Sequence, residues 1–242
     1  MLMKRRKKSQ KSLRFAALLL ITGIVVLCAT AFFTAQRGVL FPANLPFGLG
    51  IRQADTSLGW NLVLVNQDHP IPKNVHIDLT ELSNGEKVDS RIYPELQAMF
   101  DDARANGLAL FVREGYRTAK EQQQIMDERI SQYQAQGYTK SEAKKLAREY
   151  VAVPGTSEHQ LGLSVDINAD TTKCSSDAVY NWLAENAWKY GFIKRYPADK
   201  IDITGISNEP WHYRYVGKEA AQEMQQSGMC LEEYIKEKKS SS

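Results

Sequence analysis

Four side chains in two short stretches have the types and spacing to do chemistry together. Residues 155–167, GTSEHQLGLSVDI, hold His159 and Asp166 seven positions apart. Residues 208–216, NEPWHYRYV, hold Glu209 three positions before His212. Two histidines and an aspartate offer a zinc ion three protein ligands and leave a fourth position for water, the pattern of a catalytic site. Glu209 would then be the base that takes a proton from that water. Each residue also has a plainer reading, since a histidine in a strand is commonly just a satisfied polar residue. No HExxH run exists, which excludes the zincin layout. His69, in a Pro-punctuated turn, and His76, in a polar–apolar alternation, read as surface or strand residues. Glu158 is a rival base, but neighbouring side chains diverge in an extended segment, which favours Glu209.

Convergence of these groups depends on their elements. Leu163, Val165 and Ile167 alternate with Ser164 and Asp166, so Asp166 belongs to the polar face of a strand, and Gly162 is the hinge that lets His159 approach it. Glu209 and His212 would face opposite ways on a regular strand, but Pro210 places Glu209 before the regular part. Upstream, LALFVREGYR (108–117) reads as a strand running into a turn. Two capping boxes follow it. Thr118 with Glu121 opens a helix to about residue 135, and Thr139 with Glu142 opens another to about 151, before Pro154. Further helices are expected over 91–107, 177–191 and 217–238, and strands over 60–65 and in GFIKRYP after residue 190. Helices and short strands without βαβ alternation predict an α+β domain: a small antiparallel sheet flanked by helices.

The chain has 242 residues, 24% charged and 43% hydrophobic, and a net charge of +3 that is unevenly spread. Residues 1–14 hold seven bases and no acid, which leaves the remainder at −4 and excludes nucleic acid as a partner. Residues 15–35, FAALLLITGIVVLCATAFFTA, carry no charge, and a helix of that length spans roughly 30 Å, the bilayer core. With the bases held inside, the expected organisation is a cytoplasmic basic segment (1–14), a transmembrane signal-anchor (15–36), a linker (37–55), an extracytoplasmic catalytic domain (56–238) and a tail (239–242). ATA at 29–31 could instead serve as a cleavage site. Cys174 and Cys230 then lie where disulfides are permitted, and either a bridge or two buried thiols fits.

Three motifs in order carry a resemblance. Ser157-Glu-His159-Gln-Leu-Gly162-Leu-Ser-Val-Asp166 resembles the SxHxxGxxxD signature of VanY-type zinc D,D-carboxypeptidases. Glu209-Pro-Trp-His212 resembles that family's second signature, and REGYRT (113–118) its arginine motif. The resemblance covers roughly residues 60–235. It implies that His159, Asp166 and His212 bind one Zn²⁺ per chain and that Glu209 is the general base. It further implies that Arg117 binds substrate and stabilises the oxyanion, while Ser157 and Gln122 help hold the terminal peptide unit. A guanidinium suits a free carboxylate because it can make two parallel hydrogen bonds. One departure stands out: Glu114 occupies a position where the family commonly has Ser, and it could pair with Arg113 or reshape the subsite. The activity implied is removal of the terminal D-alanine from peptidoglycan stem peptides, with the specificity of the serine-type D-alanyl-D-alanine carboxypeptidases but a metal mechanism. The alternatives are an L,D-carboxypeptidase acting on tetrapeptide stems and a non-catalytic wall-binding ectodomain.

Overall fold

The computed structural model describes residues 54–73 and 75–241. The expected basic segment, the expected membrane span and nearly all of the expected linker lie outside the described residues. Among those described, no helix is long and apolar enough to cross a membrane.

A short hairpin of β1 (Leu79–Glu81) and β2 (Lys87–Asp89) comes first, followed by helix α1 (Tyr93–Ala105) and strand β3 (Leu110–Glu114). Helices α2 (Ala119–Ala135) and α3 (Lys140–Ala147) precede strand β4 (Ser164–Ala169) and helix α4 (Ser176–Asn186). Strand β5 (Phe192–Lys194), the one-turn helix α5 (Ile201–Thr204) and strand β6 (His212–Tyr215) come next. Helices α6 (Lys218–Ser227) and α7 (Leu231–Ser240) end the described chain.

Strands β3, β4, β6 and β5 form, in that spatial order, one antiparallel sheet. Its two faces follow from the alternation of residue types. Val112, Val165, Ile167 and Tyr213 are buried in a core with Leu96, Met99, Phe100 and Ala103 of α1 and Val179 and Leu183 of α4. Asp166, His212, Ser164 and Arg214 therefore share the opposite face. A second cluster joins Ile193 and Val216 to α6 and α7, and a third holds α2 against α3 through Met126, Ile130, Ala143 and Ala147. The α+β expectation is met, with helices on both sides of a small antiparallel sheet.

Three expected elements differ. Residues 60–65 form no strand among the described residues, and an isolated bridge between Asn66 and His69 follows them. The carbonyls of Asn61 and Val63 instead accept from Arg214 Nη2, at 3.1 and 3.0 Å, so an arginine supplies what a ladder would. The helix expected over 217–238 is broken at Gly228, which is left-handed (φ +69°), and α7 restarts behind Cys230, whose N–H donates to Glu233 Oε2 at 2.9 Å. The helix opened by Thr139 ends at Ala147 rather than near 151, the chain continuing in turns.

Candidate metal centre and catalytic cleft

The sheet register brings the site together. Asp166 on β4 lies opposite His212 on β6 on one side and opposite Glu114 on β3 on the other. A bulge between Val112 and Glu114 is what sets Glu114 there; a regular register would have placed Arg113 across from Asp166. His159 arrives from a 3₁₀ turn, Glu158–Leu161, that Gly162 closes in a left-handed conformation (φ +65°). A Cβ at residue 162 would come within 2.8 Å of the Asp89 nitrogen, whose N–H donates to the Gly162 carbonyl at 3.0 Å. Glycine is therefore required there for both backbone conformation and close approach.

His159 Nδ1 lies 2.8 Å from the carbonyl oxygen of Gly115. A carbonyl only accepts, so the proton sits on Nδ1 and the Nε2 lone pair faces Asp166 Oδ1 at 3.5 Å. His212 Nδ1 reaches the same oxygen at 3.1 Å. One ligand atom from each of the three residues lies within 4.8 Å of the others. Donors about 2.0–2.1 Å from a tetrahedral zinc stand roughly 3.4 Å apart, which matches both measured separations. Asp166 Oδ1 is buried and, among the described residues, has no hydrogen-bond partner, a need that a cation between the three side chains would meet. The residues present fit a zinc ion.

Electrostatics support this assignment. Burial alone would raise the Asp166 carboxyl, but His159 and His212 hold it well below the usual carboxylate range. Burial lowers His159, whereas for His212 burial is outweighed by Asp166 and Glu158, which push it up to about 9. Glu209 has its Oε2 3.6 Å from His212 Nδ1. Burial, aided by the negative charge of Asp166, pushes its carboxyl up to about 7 despite His212 and Arg117. A carboxyl in that range can both accept and return a proton near neutral pH.

A cleft of about 430 Å³ opens onto these groups, lined also by Arg117, Gln122, Ser157, Tyr196 and Trp211. A larger recess, of about 520 Å³, adjoins it beyond Arg117 but holds none of the candidate metal ligands. Arg117 sits where β3 turns into α2, just before the Thr118–Glu121 capping box, which is formed as expected. Its Nε donates to Glu114 Oε1 at 3.0 Å and its Nη1 to Gln122 Oε1 at 2.8 Å, with Nη2 3.9 Å from Asp166 Oδ2. Glu114 thus pairs with Arg117, not with Arg113. Gln122 is fully engaged, its Nε2 donating to the Ala152 carbonyl at 2.7 Å; in this structure it aims Arg117 rather than presenting a free amide to the cleft. Ser157 lines the cleft with its hydroxyl unpartnered among the described residues. His69 bonds Asn66 and His76 pairs with Asp78 at the surface, as expected of both. Among the described residues, Cys174 and Cys230 are not bridged to each other.

Glu158, the rival base, is placed differently from Glu209. Its carboxylate is wholly buried in a cluster with Arg195 and Arg214. Nothing in the sequence marks either arginine as its partner, because both arrive from other strands or strand ends.

The comparisons with known proteins agree with this geometry. Residues 85–218 match a family described as VanY, D-alanyl-D-alanine carboxypeptidase. The chain is 57% identical over 180 residues to a D-alanyl-D-alanine carboxypeptidase of Enterococcus faecalis, covering 74% of this chain and 67% of that one. It is similar to the solved structure of VanYB in complex with D-alanine-D-alanine, with a TM-score of 0.72 and 57% identity over 73% of this chain and 98% of that chain. A mutant of the vancomycin-resistance D,D-pentapeptidase VanY from a VanB-type cassette, in complex with Zn(II), gives 0.71 and 57% over 73% and 99%.

Proposed function

The chain belongs to the VanY family of D-alanyl-D-alanine carboxypeptidases, and we propose that it is a zinc-dependent D,D-carboxypeptidase that removes the C-terminal D-alanine from peptidoglycan stem peptides. The observation that carries this reading is the convergence of His159, Asp166 and His212 at the floor of a cleft that also holds Glu209 and Arg117. His159, Asp166 and His212 hold one zinc ion. When bound, zinc supplies Lewis acidity at the scissile carbonyl and acidifies water beside it. Glu209 accepts the proton of the attacking water and returns it to the leaving D-alanine amine. Arg117, held in place by Glu114 and Gln122, meets negative charge in the substrate and steadies the oxyanion as it develops. Ser157 contributes binding and not attack, so the likeness to serine-type enzymes is one of specificity alone. The body of the protein works outside the membrane, held there by residues 15–36. The seven bases of residues 1–14, set directly before the uncharged run, support that orientation.

Mass spectrometry of a stem pentapeptide incubated with the full chain in detergent tests the activity. Loss of one alanine, abolished by chelator and restored by zinc, is expected. Trimming of the tetrapeptide but not the pentapeptide would replace this reading with an L,D activity. Fractionation of cells tests the anchor: the chain should sediment with membranes and leave them only on addition of detergent.

A further inference from the structure

His212 turns its two ring nitrogens toward different surroundings. Nδ1 faces the cleft, with Asp166 Oδ1 at 3.1 Å and Glu209 Oε2 at 3.6 Å. Nε2 is buried and, among the described residues, has no partner at hydrogen-bond distance; the carboxylate it faces is Glu158, whose Oε2 lies 3.5 Å away. That separation is a few tenths of an ångström beyond a good N–H···O bond. Glu158 is itself immobilised. Its Oε1 accepts from Arg195 Nε at 2.8 Å and lies 2.9 Å from Arg214 Nη1, while its Oε2 accepts from Ser164 Oγ at 3.0 Å. Arg195 is anchored in turn by two bonds to Glu232 of α7, at 2.8 and 2.6 Å. Ser164, His212 and Arg214 stand on the same face of the sheet, so the carboxylate is held along the row of side chains that carries the metal ligands.

We propose that Glu158 is the positioning residue of the metal centre: it receives the Nε2–H of His212 and so commits the Nδ1 lone pair to the ion. This deepens the zinc reading above and rests on it. Two arginines could by themselves require a buried counter-charge, but neutralising them does not require that one oxygen face a ligand imidazole. The placement of Oε2 between Ser164 Oγ and His212 Nε2 gives the carboxylate a second duty. His159 has a closer version of this arrangement, its Nδ1 2.8 Å from the Gly115 carbonyl, so each ligand histidine has its outer nitrogen facing a fixed acceptor. Such outer partners set ring orientation and tautomer, and losing one lowers metal affinity or activity by about 10–100-fold.

The test uses the full chain loaded with cobalt(II) in place of zinc. Two solvent-exchangeable, paramagnetically shifted imidazole N–H resonances are expected, one from His159 Nδ1–H and one, slow to exchange, from the buried His212 Nε2–H. A spectrum in which His212 shows no such proton, or in which it exchanges as fast as a surface imidazole, overturns the proposal without reference to any variant. The replacement Glu158→Gln should then weaken zinc binding by about 10–100-fold and lower kcat while leaving KM for the pentapeptide unchanged. Zinc affinity and kcat within twofold of the native values in a folded Glu158→Gln protein would reduce Glu158 to a counter-ion for the arginines. If the native chain binds cobalt with both N–H signals yet trims no stem peptide, the functional reading fails and the positioning role stands.

Discussion

Glu209 and His212 are three residues apart and only 3.6 Å apart at their polar atoms, yet they have different assignments, ligand for one and base for the other. The division can be tested because the two substitutions should separate. Glu209→Gln keeps the shape of the side chain and removes the proton acceptor. It should retain zinc near the native stoichiometry while kcat falls by about 10²–10⁴; measured zinc content beside turnover checks both halves. The histidine makes a prediction of its own. In the metal-free protein His212 is raised to about 9, so at pH 7 it carries a proton that a ligand nitrogen must give up. Zinc uptake at neutral pH should therefore release close to one proton from His212 and a fraction more from Glu209, which is raised to about 7. Apparent affinity should rise with pH toward about 9 and flatten above it. Calorimetry of zinc binding in buffers of differing ionisation enthalpy measures the released protons; no release at pH 7 would contradict ligation by His212.

At the scale of elements, two tight backbone approaches hold the ligands in place, and both rely on glycine. Gly115 would place a Cβ 2.2 Å from the Lys87 carbonyl oxygen, and its own carbonyl fixes the His159 ring. Gly162 combines a φ of +65° with a 2.8 Å approach to the backbone of β2. Gly162→Ala should cost about 1–2 kcal/mol for the left-handed conformation alone. It should cost more for the displaced hairpin, and zinc affinity should fall as His159 moves; urea unfolding and zinc titration read the two effects. These motifs also show what could be read from the sequence. The alternation around Asp166, the two capping boxes and the Pro210 break are local signals, and each correctly placed a strand, a helix start or a side chain in the cleft. What could not be read depends on contacts across the chain. The apolar run at 60–65 looks like a strand, and only the distant Arg214 explains why its carbonyls need no ladder. The break at Gly228 is hidden because apolar residues recur on both sides of it. The engagement of Gln122 by Arg117 and Ala152 depends on a bulge and a loop that no local pattern encodes.

Across the whole molecule, a buried line of charge runs from the metal centre toward both ends of the described chain. Glu158 lies between Arg195, which is clamped by Glu232 of α7, and Arg214, which holds the carbonyls of Asn61 and Val63. The C-terminal helix is therefore part of the site's support. Two truncations separate this view from one in which the helix is an appendage. Ending the chain after Ile235 removes described residues that are exposed or half-buried, and with them two surface pairs, Lys238–Glu223 and Lys239–Asp55, of the kind that contributes little. Thermal unfolding and zinc affinity should change little. Ending it after Gly228 strips away Leu231, Tyr234 and Ile235, all buried, at about 1.5–3 kcal/mol each. It also takes from Arg195 one of its two carboxylates, at a site where an incompletely paired charge is costly. The combined loss reaches the roughly 5–15 kcal/mol by which a domain is stable, so the shorter chain should unfold or fail to hold zinc. A truncation at Gly228 that folds and binds zinc like the full chain would show that the charge line ends at Arg195 and that α7 contributes nothing to the site.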